Sequence, residues 1–196
     1  MSKKEEKKHD ELVNVEHALT STEAFIEKYQ KQILMGVGAI VLVVLVALSF
    51  RNFYLQPREI AAENEMYKSQ AFFAKDSFRL ALNGAGAESI GFKAISSDYG
   101  ITNSGKLAAA YAGICYYKLG QYQDAVKYLS QFDGKDTYFT TSVIGLTGDC
   151  YVELGDNSKA LSYFEKAEKL YTTIKEKYPK SAEAADIDKY LARVQK

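Results

Sequence analysis

Asp149, Glu153 and Asp156 place three carboxylates close together in sequence, the residue type that a hard cation requires. Their spacing is not that of a calcium-binding loop, and acids on a solvated helix face are expected instead. Gly84-Ala85-Gly86 could cradle a phosphate, but no apolar strand precedes it and no Gly-Lys-Ser/Thr follows. A helix-ending turn is the expected role. Two cysteines, Cys115 and Cys150, could bridge or react. Both histidines, His9 and His17, lie in the first seventeen residues, so the remainder lacks the commonest general base and metal ligand. No catalytic residue, no cofactor, no metal and no small-molecule substrate is expected; the chain reads as a non-enzyme.

The 25 basic and 25 acidic side chains cancel. A general nucleic-acid binder would carry a basic excess able to displace counterions from phosphates, so nucleic acid is not an expected partner. Two prolines in 196 residues, with abundant Ala, Leu, Lys, Glu and Tyr, point to an all-α fold.

Between Lys31 and Arg51 there is no charge. Gln32 to Phe50 is 19 residues long, about 28 Å of helix at 1.5 Å per residue. The hydrocarbon core of a bilayer is about 30 Å thick, so residues 32–50 are expected to cross it once. A cleaved signal peptide is the alternative, with Ala47-Leu48-Ser49 as a small-x-small site, although the apolar run is longer than usual for one. Residues 1–31 are expected to be a cytoplasmic tail, disordered over 1–10 and helical from the capping box Thr20-x-x-Glu23. Lysines close to the span on one side are matched by Arg51, Arg58 and Lys68 on the other. The six lysines of the tail and the long domain after the span together favour an N-terminus inside.

Residues 51–196 contain a repeat. Shifted by 35 places, Gly113-Ile114-Cys115-Tyr116-Tyr117-Lys118-Leu119-Gly120 falls on Gly148-Asp149-Cys150-Tyr151-Val152-Glu153-Leu154-Gly155. Ala125 falls on Ala160, and Leu129 on Phe164. A period in the thirties with small residues at fixed offsets marks stacked helical hairpins. Gly113 and Gly148 are expected where one helix approaches its neighbour, and Gly120 and Gly155 at the turn between the helices of a unit. Ala125 and Ala160 should lie where the second helix crosses the first, with Tyr116 and Tyr151 filling the space left. Cys115 and Cys150 fall on adjacent helices whose axes lie about 8–10 Å apart. A disulfide needs Cα atoms within about 7 Å, so buried fillers are expected rather than a bridge.

This pattern resembles the tetratricopeptide repeat. One unit, about 106–135, matches at Gly113, Tyr116, Gly120, Tyr122 and Ala125; the next, about 140–170, at Gly148, Tyr151, Gly155, Ala160, Phe164 and Ala167. Ala109 and Ile144 replace the leading tryptophan, and Asn157 the second tyrosine. Capping helices are expected over about 57–82, where Ile60, Tyr67, Ala71, Phe78 and Leu82 form one stripe, and over about 181–195 after Pro179 and Ser181. A short helix is expected near Ile90–Ile95. Ala167, Tyr171, Ile174 and Pro179 also read as the second half of a further repeat, so the last repeat helix should run long, about 158–178, as though one unit were missing.

The resemblance places a partner-binding groove on the first helix of each unit: Leu107, Ala110, Ile114 and Tyr117, then Ser142, Gly145, Asp149 and Val152. Packing of these residues within the chain is the alternative. Ala110, Ile114, Gly145 and Asp149 are not the basic clamp that some relatives use for acidic tails. The whole layout resembles the ancillary subunits of the SecYEG translocon (YfgM-type, in a Bacteroidota-like version). That resemblance implies a single-pass protein of the bacterial inner membrane, with a periplasmic repeat domain. Its implied partners are SecYEG and a membrane-anchored periplasmic chaperone of the PpiD type. A regulatory adaptor unrelated to secretion, or an organelle-import receptor with a cytosolic repeat domain, would share the layout.

Overall fold

A computed structural model of the chain describes residues 28–134, 136–180 and 187–189; they are helical and contain no strand. The chain divides into two units, Met1–Phe53 and Tyr54–Lys196.

In the first unit, α1 occupies residues 28–49. Leu, Val, Ile and Ala cover every face of it, and none of its most apolar eighteen-residue stretch is buried by protein. An apolar helix with no polar stripe and no protein cover suits lipid, and it is long enough to cross a membrane. The capping box at Thr20 and the expected disorder of residues 1–10 lie outside the described residues. After α1 the hydrogen bonding widens into a π-helical turn, Phe50–Leu55, which the apolar pattern does not foretell.

The second unit begins with α2 (Gln56–Phe73), whose Pro57 sits in the first turn, where no N–H is needed. There follow α3 (Phe78–Asn83), α4 (Gly91–Asp98), α5 (Asn103–Lys118), α6 (Tyr122–Leu129), α7 (Thr137–Glu153) and α8 (Asn157–Lys177). α5/α6 and α7/α8 are the two hairpins of the 35-residue period. In each turn a glycine adopts the left-handed conformation, Gly120 at φ 74° and Gly155 at φ 76°. The next N–H reaches back five residues, Gln121 to the Tyr116 carbonyl and Asp156 to that of Tyr151. This closes the first helix with a Schellman motif.

The helix expected over 57–82 is in fact two. α2 stops at Phe73, and Asp76, at φ 55°, takes the position of those glycines. Asp76 N–H donates to the Phe73 carbonyl and Ser77 N–H to that of Phe72, the same motif as at Gly120 and Gly155. Counting from the turn residue, buried Ala81 corresponds to Ala125 and Ala160, buried Ser69 to Gly113 and Gly148, and Phe78 to Tyr122. α2/α3 is therefore a third hairpin built on the same plan. Its second helix is interrupted at Gly84 (φ 90°), which ends α3, and resumes as α4. With the loop of residues 84–90 set aside, Phe92 takes the place of Leu129 and Phe164.

Of the stripe read from spacing, Phe78 and Leu82 on α3 do face the core, but its α2 part faces outward. Ile60 and Tyr67 are 54% and 77% exposed, while Ala62, Met66 and Ser69 are buried. Glu59 sets this rotation. Its carboxylate accepts from the backbone N–H groups of Asn103 and Ser104, each at 2.8 Å, and from the Ser104 hydroxyl at 2.6 Å. Hydrogen bonds to a charged group contribute about 1.5–3 kcal/mol each. Together with the burial of Ala62 and Met66, these bonds offset the roughly 1.5–3 kcal/mol forgone by leaving Ile60 exposed. Arg58 adds a second tie, donating to the Asp98 carbonyl and lying 5.3 Å from the Tyr99 ring centre.

Aromatic rings join the hairpins. Tyr111 of α5 stacks on Phe92 at 5.0 Å and meets Phe73 edge-on at 5.2 Å. Phe139 of α7 lies 6.2 Å from Tyr111 and 5.3 Å from Phe132. α8 runs long, close to the expected 158–178, because its second half has its own core: Ala167, Tyr171 and Ile174 pack with Ile187, against Tyr138 and Ile144. Residues 187–189 are helical; the rest of the cap expected over 181–195 lies outside the described residues.

Candidate partner-binding groove

The first helices of the three hairpins are α2, α5 and α7, with α2 packed on α5 and α5 meeting α7 along a narrower seam. The close approach within each hairpin depends on the glycines. A Cβ at Gly113 would lie 2.6 Å from Leu129 Cγ and 3.0 Å from the Leu129 backbone nitrogen; one at Gly148 would lie 2.5 Å from the Phe164 ring. The neighbour these glycines admit is thus the second helix of their own unit. Tyr116 is buried in the same core cluster as Ala125. Tyr116 and Tyr151 stack along the hairpin on Tyr128 and Tyr163, at 5.1 and 5.4 Å, both with an interplanar angle of 29°. Ala125, Ala160 and Ala167 are buried where the helices cross, and Tyr122 and Phe164 are half-buried.

The groove positions divide into three kinds. Ala110 is fully buried and cannot touch a partner, so it leaves the set. Its helix approaches α2–α4 too closely for the small side chain to reach the surface. Ser142 is engaged within the chain, donating to the Tyr138 carbonyl at 3.1 Å and pairing with the Tyr171 hydroxyl at 3.2 Å. Leu107, Ile114 and Tyr117 are half-buried, packed below against the core, and Tyr117 lies edge-on to Tyr122 at 5.7 Å. Gly145 and Asp149 are half-buried and Val152 is 49% exposed. The third hairpin adds equivalents that spacing had missed: Glu63, exposed, matches Leu107, and Gln70, half-buried, matches Ile114. The signal was present in Asp76-x-Phe78-x-x-Ala81, which repeats Gly120-x-Tyr122-x-x-Ala125 with aspartate for glycine.

Electrostatically the face is mild. Burial, then the neighbouring Glu153 carboxylate, holds the Tyr122 phenol above its usual range, which ties α6 to the end of α7. Asp156 caps α8 through the Lys159 N–H and pairs with its ammonium at 2.7 Å. The side-chain bond from Lys159 lowers the Asp156 pKa, and the same bond raises that of Lys159. Cys115 and Cys150 are free and fully buried; burial pushes both thiols up to about 12, so neither offers a thiolate near neutrality. Among the described residues no group of three or more His, Cys, Asp or Glu side chains is placed to hold a metal ion.

Residues 111–134 and 144–173 each match the tetratricopeptide repeat family. The two hairpins are of that type. No curated protein and no solved structure matches the chain. Both tetratricopeptide matches fall on the hairpins of the 35-residue period, and the α2/α3 hairpin lies outside them. Repeats of this family suggest a protein–protein interaction module.

Proposed function

We propose that the protein is a membrane-anchored interaction module that takes up a polypeptide segment on the α5–α7 face while α1 holds it at the bilayer. The observation that carries this reading is the pairing of one apolar helix without protein cover with repeats whose accessible first-helix positions, half-buried Ile114 and Tyr117 and exposed Val152, are apolar. Stacked helical hairpins use such faces for extended or helical partners. Glu63 and Asp149 bring acid rather than base to the face, which disfavours capture of an acidic tail.

The finer proposal is an ancillary subunit of the Sec translocon, in a bacterial inner membrane with the N-terminus cytoplasmic and the repeats periplasmic. It would link SecYEG to a membrane-anchored chaperone of the PpiD type during biogenesis of secreted or membrane proteins. The layout of short charged tail, single span and repeats supports it. The test is co-purification of both partners with the wild-type chain and with variants shown to remain folded. Aromatic residues dominate such interfaces, so Tyr117→Ala is expected to weaken recovery by about 2 kcal/mol. Ile114→Asp should weaken it more, because it buries an unpaired charge. Wild-type recovery of both partners with both variants would move the contact off this face. Absence of SecYEG from the wild-type preparation would remove the translocon reading.

A further inference from the structure

The widened turn after α1 carries Phe50 and Phe53, which are 54% and 84% exposed, with Arg51 between them. Phe53 is the most exposed large apolar side chain in the described residues. At the opposite end of α1, Tyr29 lies beside the Lys28 ammonium, 5.4 Å from its ring centre, and Lys31 follows. Aromatic rings and cations thus bracket both ends of the uncharged run between Lys31 and Arg51.

The spacing identifies what such collars meet. Tyr29 to Phe50 is 21 residues, or about 32 Å along an α-helix. That exceeds the roughly 30 Å hydrocarbon core but falls well inside the roughly 40–45 Å that includes the headgroup layers. Rings at this separation lie in the two interfaces, where aromatic side chains concentrate and Lys or Arg ammonium and guanidinium groups reach phosphate. A π-helical turn takes an extra residue per turn of hydrogen bonding, which redirects the side chains that follow it.

We propose that Phe50, Arg51 and Phe53 form an interfacial collar seated in the lipid headgroup layer, with Lys28 and Tyr29 as its counterpart at the other leaflet. The occupant is the bilayer surface itself, with the rings at acyl-chain tops and the guanidinium of Arg51 at lipid phosphate. This inference rests on the membrane reading of α1.

The natural sequence contains no tryptophan, so a single introduced one reports without background. Full-length Phe53→Trp and, separately, Val43→Trp chains are reconstituted into phosphatidylcholine vesicles whose lipids are brominated either near the top or near the end of the acyl chain. Trp at position 53 should lose more emission to the shallow bromines, and Trp at position 43 more to the deep ones. Phe50→Trp repeats the measurement should Phe53→Trp fail to reconstitute. If position 43 is quenched by deep bromines while position 53 responds to neither lipid, the collar is wrong. Quenching of position 53 by aqueous iodide would then place it in water, and protection from iodide would place it under protein. If position 43 itself escapes both lipids, the membrane reading of α1 falls first.

Discussion

Thr102 and Glu59 satisfy the start of α5 from two directions. The Thr102 hydroxyl accepts from Gly105 N–H at 2.9 Å and donates to the Tyr99 carbonyl at 2.7 Å, and the residue is buried. Loss of a threonine N-cap costs about 0.5–2 kcal/mol. Burial leaves no water to replace it, so Thr102→Ala is expected at the upper end, near 2 kcal/mol, as a lowered urea midpoint with unchanged slope. A midpoint within about 0.5 kcal/mol of wild type, the range of surface substitutions, would show that Glu59 alone holds this helix end. At this scale the sequence was legible wherever a residue recurred. Tyr116 and Tyr151, Gly120 and Gly155, and the two buried cysteines all stand 35 apart because they serve the same contact twice. Glu59 was not legible. Its partners lie 44 and 45 residues away, and nothing in its neighbourhood distinguishes it from Glu63 or Glu65.

Hairpins are where small residues set the geometry. Gly113 and Gly148 are equivalent by period, yet their surroundings differ. An alanine Cβ at 113 meets the base of the Leu129 side chain and its backbone nitrogen, whereas one at 148 meets only the outer edge of the Phe164 ring, which can swing aside. Alanine gains about 1 kcal/mol over glycine in a helix interior. Overpacking costs about 1–3 kcal/mol where the neighbour cannot move. Gly113→Ala is therefore expected to be net destabilising by up to about 2 kcal/mol, and Gly148→Ala to lie near zero. Denaturation of the two variants side by side checks this; equal losses would mean that Leu129 relaxes as easily as Phe164. The α2/α3 hairpin escaped a reading by spacing for two physical reasons. Aspartate can take the left-handed turn position that glycine usually marks, and the loop of residues 84–90 displaces Phe92 from its periodic place. The stripe through Ile60 and Tyr67 misled because periodicity reports an apolar face, while the rotation of α2 is fixed by the bonds of Glu59.

For the whole molecule, two features carry different kinds of information. An uncharged apolar run and a 35-residue period are collective patterns, so the apolar helix and the repeats survive many individual substitutions and were readable. A binding face is local, and two of its eight expected positions changed status once neighbours were known, while two others joined: Ala110 is buried, Ser142 is held by Tyr171, and Glu63 and Gln70 join from α2. What remains exposed is a small apolar surface on α5 and α7, opposed by the polar outer face of α8, where Ser162, Glu165, Lys166 and Lys169 line a shallow depression. A polar outer helix is the usual end of a repeat array and has little to offer an apolar partner. The central claim, that the anchored repeats act by holding a polypeptide on the α5–α7 face, is tested most directly by photocrosslinking in intact membranes. A photoreactive residue is placed at Ile114, at Val152, or at Lys169 as the outer-face control. The expected result is one shared adduct from positions 114 and 152, containing a translocon or chaperone chain, and none from position 169. Equal adducts from all three positions, or none from the first two, would contradict it.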